Sequence, residues 1–224
     1  MGAITRALGN SLTTGGVVKS TAINNTSVSG ITVLPGAITG LGSLVLIKEI
    51  TASASASIEF INGTNGVVLD STYDSYVFKF YNIHPQTTED FMWQCNATGQ
   101  TGYNETITST TFETYNAESG GTPGVGYDGG RDLAQGTSFQ PLANNIQNDN
   151  DSGGCGFLIL YNPSSTTYVK HFIGTMTYMN STQTQTIYSA GYVNTTSAID
   201  EIQFKFETGN IDDGIIKLYG VKKS

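Results

Sequence analysis

From residue 43 onwards, apolar and polar side chains take turns along this chain. Ile58 and Phe60, with Ala56 before them, alternate with Ser57 and Glu59. Tyr76, Phe78 and Phe80 alternate with Val77, Lys79 and Tyr81, and Phe91, Trp93 and Cys95 with Met92, Gln94 and Asn96. Ile202, Phe204 and Phe206 alternate with Glu201, Gln203, Lys205 and Glu207. A period of two places successive side chains on opposite faces of an extended strand, so these runs predict half-buried antiparallel strands. Leu44 to Ile50 is a continuous apolar run ending in charge and reads as a buried strand. Phe157, Ile159 and Tyr161 follow Cys155 at the same spacing, which predicts that this set faces inward. Tyr168 to Tyr178 and Ile215 to Val221 complete the strands, and Trp93, Phe157, Phe204 and Phe206 are the expected core aromatics.

Short turn-forming stretches separate the runs, among them Asn62-Gly63-Thr64-Asn65-Gly66, Asp151-Ser152-Gly153-Gly154 and Asp212-Asp213-Gly214. No segment sustains an apolar stripe of helical period. The expected fold is all-β: an antiparallel β-sandwich of eight to ten strands over residues 43–224, with a jelly roll as first choice. Asn116 to Asn150, rich in Gly, Asn and Asp, reads as one long loop, of the kind that serves function or assembly.

Residues 1–42 are different. Small and polar residues carry scattered aliphatics without a helical period or a long strand alternation, and Pro35-Gly36 marks a turn. Such a segment buries little apolar surface alone and reads either as a disordered tail or as an extended N-terminal arm that orders across a neighbouring subunit. The spaced aliphatic residues favour the arm, with Val18, Ile23, Val28, Ile31 and Val33 as its expected assembly contacts.

Charge changes the picture of partners. The 224 residues carry a formal net charge of -8, which argues against direct binding to nucleic acid or anionic membranes. Only 12% of residues are charged, about half the usual fraction, and the polarity comes from Thr, Ser, Asn and Gly. This composition suits packed assemblies. There is no run of 18 apolar residues, so no membrane-spanning helix is expected. Met1 to Gly16 does not read as a signal peptide, and the six Asn-x-Ser/Thr triplets carry little weight in so Thr-rich a chain.

Candidate chemistry is sparse. Only two histidines exist, His84 and His171, and no cluster has the spacing of a zinc site. Nucleophile-elbow and phosphate-loop motifs are missing. Asp128, Asp132, Asp149 and Asp151 are the carboxylates that a glycan hydrolase would use, but their Gly- and Asn-rich surroundings read as solvated turns. Asn148 to Asp151 offers closely spaced oxygens for calcium without the EF-hand spacing. Cys95 and Cys155 both fall at expected inward positions and read as free buried thiols rather than a disulfide. No catalytic, cofactor-binding or metal residues are assigned.

The C-terminal half resembles virion structural proteins of tailed phages of marine bacteria. The residues carrying the likeness are Tyr161-Asn162-Pro163-Ser164-Ser165-Thr166-Thr167, Val169-Lys170-His171-Phe172-Ile173, Gly191-Tyr192, Asn194 to Asp200, Gly209-Asn210-Ile211 and Ile216 to Val221. Ser71 to Asp74, Phe80 to Pro85 and the opening Met1 to Leu8 look similar too. The resemblance implies a non-enzymatic protein of the particle's outer surface, made in the host cytoplasm and leaving the cell inside the virion. The expected role is capsid decoration or cement, anchored through the arm to other virion proteins such as the major capsid protein. The alternative is a tail-fibre or receptor-binding module that touches host surface glycans. A homo-oligomer is expected, a trimer first, because closed rings leave no free sticky patch.

Overall fold

The computed structural model describes residues 13–14, 17–18 and 44–222. The chain divides into two compact units, Met1–Leu41 and Gly42–Ser224. In the first, β1 (Thr13–Thr14) and β2 (Val17–Val18) pair antiparallel. Val18 is described there as backbone only, and Ile23, Val28, Ile31 and Val33 lie outside the described residues.

Every regular element described in the second unit is a strand: β3 (Leu44–Thr51), β4 (Ile58–Ile61), β5 (Ser75–Pro85), β6 (Glu89–Ala97), β7 (Ile107–Ala117), β8 (Gly124–Tyr127), β9 (Ala134–Gly136), β10 (Gln140–Ile146), β11 (Gly154–Tyr161), β12 (Lys170–Asn180), β13 (Gln183–Val193), β14 (Ile199–Phe206) and β15 (Ile211–Val221). They form two antiparallel sheets packed as a β-sandwich. The smaller sheet has the order β10-β6-β14-β4 and the larger β3-β15-β5-β11-β12-β13-β7-β8, with β9 also on β7. The jelly-roll order is not carried by this arrangement. β11, β12 and β13 run as a meander within one sheet, and the sheets are unequal, nine strands against four.

The aromatic alternation explains how the sheets meet. Phe78 and Phe80 of the larger sheet interleave with Phe60, Phe91 and Phe204 of the smaller one, at centroid distances from 5.2 Å for Phe78–Phe204 and Phe80–Phe204 to 5.4 Å for Phe80–Phe91. Trp93 meets Phe172 edge-on at 4.9 Å. Edge-to-face contacts of this kind satisfy the ring quadrupoles and add to the burial itself. Trp93, Phe204 and Phe206 are fully buried, as their alternation implies.

Three expectations change. Phe157 is not a core residue: Leu158 and Leu160 face inward, while Phe157, Ile159 and Tyr161 face out, and Cys155 is only half-buried. Both phases of β11 are apolar, so alternation alone gives no orientation. What selects it is Gly154 and Gly156 in the inward phase, where Met176 and Tyr178 of β12 fill the space. A Cβ at Gly156 would lie 2.6 Å from Met176 Cγ. Second, β3 is not buried. It is an edge strand whose Leu44 and Leu46 are 42% and 51% exposed, because its inward residues Ile47 and Ile50 suffice to meet the core. Third, the 116–150 insertion is no free loop. It supplies β8, β9 and β10, and β10 forms one edge of the smaller sheet.

Polar side chains anchor this insertion. Gln94, fully buried on β6, donates from Nε2 to the carbonyls of Glu105, Thr137 and Ser138 at 3.0–3.3 Å. Gln140 on β10 donates to the Arg131 carbonyl at 2.9 Å and accepts from Ser109 Oγ at 2.6 Å. Arg131 Nε pairs with Asp90 at 3.0 Å. Buried amides must find partners, so each fixes one loop in one place.

Candidate interaction surface

The smaller sheet covers one face of the larger. The other face is open among the described residues, and it is apolar. Of the eleven exposed large hydrophobic residues, nine stand at its strand positions: Leu44, Leu46, Tyr81, Phe112, Val125, Tyr127, Tyr161, Ile173 and Tyr188. Ordinary monomers scatter such residues singly; a contiguous set marks an interaction site.

Strand register arranges them in rows. One row runs Leu46–Tyr219–Val77–Ile159–Ile173–Ala190–Thr110 across seven strands, each residue opposite the next. The adjacent row runs Glu49–Lys217–Lys79–Phe157–Thr175–Tyr188–Phe112–Tyr127. Phe112 and Tyr188 stack at 4.7 Å with rings 11° apart. Lys79 Nζ lies 5.4 Å from the centre of the Tyr219 ring, and Lys217 Nζ 5.4 Å from that of Tyr81. Lys217 also pairs with Glu49 at 2.8 Å, and that hydrogen bond holds its ammonium above the usual lysine range. Glu49 is the one carboxylate in these two rows, in a chain with 18.

At one end the face deepens into a groove of about 410 Å3 lined by Tyr161, His171, Ile173, Tyr192, Ala190 and Thr110. The His171 and Tyr192 rings are 6.0 Å apart. Gly191 permits the close approach of β13 and β7 behind it, since a Cβ there would lie 2.2 Å from the Thr108 carbonyl. The lining offers aromatic faces and a few hydroxyls without a carboxylate.

The residues singled out for chemistry fall elsewhere, His171 excepted. Asp128 accepts from Gly130 N at 3.1 Å within a turn, and Asp132 accepts from the Tyr127 hydroxyl. The Asp149 carbonyl accepts from Ser152 N at 2.8 Å and faces His84 Nε2 at 3.0 Å. Asn148 Oδ1 accepts from Thr88 Oγ1 at 3.1 Å. Asp151 borders a polar cleft with Asn82, His84 and Asp213. Among the described residues no three His, Cys, Asp or Glu side chains converge as a metal site needs. Both cysteines are free; Cys95 is buried, and Cys155 Sγ accepts from Asn82 N at 3.3 Å.

The sequence reading does not anticipate the open face. A signal for it exists: β3 and β11 are apolar in both phases, and the outward positions of β12, β13 and β7 carry Ile173, Tyr188, Tyr192 and Phe112 among threonines. No protein-family model, curated protein or solved structure matches the chain.

Proposed function

We propose that this protein is a non-enzymatic structural component of a phage particle, a capsid decoration or cement protein on the outer surface. The open face of the larger sheet is the observation that carries this reading. A charge-poor, aromatic-rich, flat surface on a rigid sandwich has the composition of a protein–protein interface centre. It suits stable attachment to other virion proteins, with residues 1–42 as a second anchor through Val18, Ile23, Val28, Ile31 and Val33. The resemblance of residues 70–224 to phage virion proteins points the same way. A second reading, a receptor-binding module, draws on the Tyr161–Tyr192 groove, whose aromatic faces suit the apolar faces of sugars.

The test is reconstitution. Particles assembled without this protein are mixed with the purified full chain and sedimented, and a density map of the reconstituted particle locates it. Capsid-lattice density at regular occupancy is the expected result. Density confined to the tail tip favours the receptor-binding reading, and failure to co-sediment sinks both.

A further inference from the structure

We infer that the open face of the larger sheet is a self-association surface, on which two copies of this chain pack face to face about a two-fold axis running along β5. The inference rests on reading that face as an interaction surface and names its occupant as a second copy.

Charge selects the occupant. Two copies, each with a net charge of -8, repel one another at long range and come together only where carboxylates are absent. The face has Glu49 alone, neutralised by Lys217, against two lysines. A partner recognised through opposite charge would instead be basic and would use the acidic parts of the surface.

Register supplies the self-complementarity. A two-fold contact brings residue i against j and j against i. In the order β3-β15-β5-β11-β12, β5 is the middle strand. An axis along it sets β3 of one copy over β12 of the other, and β15 over β11. In the row Leu46–Tyr219–Val77–Ile159–Ile173, Leu46 then meets Ile173 of the other copy, Tyr219 meets Ile159, and Val77 meets its own equivalent. Every pair is apolar. Leu46, the more exposed of the two β3 leucines, enters the groove that Ile173 lines, so one end of the row is a knob and the other a hole. Lys79, which flanks the axis, lies against the Tyr219 ring of its own chain.

Size is adequate. Eight strands side by side at about 4.8 Å, over some six or seven residues at about 3.3 Å, make a face on the order of 700–800 Å2. Each partner in a standard interface buries about 800 Å2.

The experiment uses the full chain. Sedimentation equilibrium should give twice 23.8 kDa, and Ile173→Asp should return the mass of one chain with an unchanged far-UV spectrum. Its dissociation constant should rise at least tenfold. Leu46→Cys with Ile173→Cys, in a Cys155→Ser background, should form an inter-chain disulfide on mild oxidation, whereas Leu46→Cys with Val125→Cys should not. A wild-type mass of one chain, or of three chains, overturns the two-fold pairing, as does cross-linking of the control pair alone. Reconstitution onto particles separates the two claims: a single-chain wild type that still decorates capsids leaves the proposed function standing and removes the pairing.

Discussion

Trp93 and Phe157 show how much one strand phase decides. Trp93 is fully enclosed between the sheets against Phe172, while Phe157 stands half-buried on the open face beside Lys79 and Thr175. Truncating Trp93 to Ala leaves a cavity that the interleaved aromatics cannot collapse around, at about 3–5 kcal/mol. Truncating Phe157 forfeits partial burial without a cavity and should cost about 1 kcal/mol in a dilute, single-chain preparation. Urea midpoints of the two variants check this; equal losses would mean that β11 is turned the other way. Lys170 is a second residue that alternation undersells. It is fully buried at the start of β12, its ammonium donating to the Tyr168 and Thr195 carbonyls at 2.8 and 3.1 Å, and burial lowers its pKa. Nothing in the spacing of Val169-Lys170-His171 separates it from a solvated lysine.

At the scale of elements, glycines in the larger sheet set how closely strands lie. A Cβ at Gly156 would stand 2.1 Å from the Thr175 carbonyl, so Gly156→Ala must open the β11–β12 ladder. A destabilisation of about 1–3 kcal/mol is expected, against a near-neutral Gly126→Ala, where open space surrounds the position. Thermal melts of the two variants provide the comparison. The same strands show what was legible beforehand. β5, β6 and β14 alternate cleanly between aromatic and polar, so their location and inward faces follow from the sequence. β11 and β3 are apolar on both sides, so their orientation depends on β12 filling the room above two glycines and on β3 lying at an edge, which are tertiary facts. β8, β9 and β10 are short and held by Gln94, Gln140 and Ser109 rather than by an apolar period, so the stretch reads as a loop. The open face escaped for a related reason: single-strand patterns say which residues share a side, not whether a second layer covers it.

For the whole molecule, alkaline pH is the sharpest lever on stability. Burial pushes the Tyr76 phenol up to about 12, and burial raises Tyr103 and Tyr178 as well. Below pH 10 folded and unfolded chains both keep these protons, and the contribution is fully present. Above 10 the unfolded chain releases them while the folded chain holds them, so the unfolded state binds fewer protons and stability falls as pH rises from 10 towards 12. Urea midpoints should drop across that window, less steeply in Tyr76→Phe; a flat profile in the parent chain would contradict the enclosed phenols. The strand order has a consequence in time as well. β15 lies between β3 and β5, yet it is synthesised after every other strand of the sandwich. At roughly 5–20 residues per second, the stretch from β3 to β15, about 160 residues, keeps the ribosome busy for on the order of 8–30 s. Through that interval β3 has emerged with its leucines and both of its edges unpaired, tethered beside equally unfinished copies on the same message. The nascent chain therefore depends on holdase protection most in its earliest sandwich strand, the one whose partner arrives last.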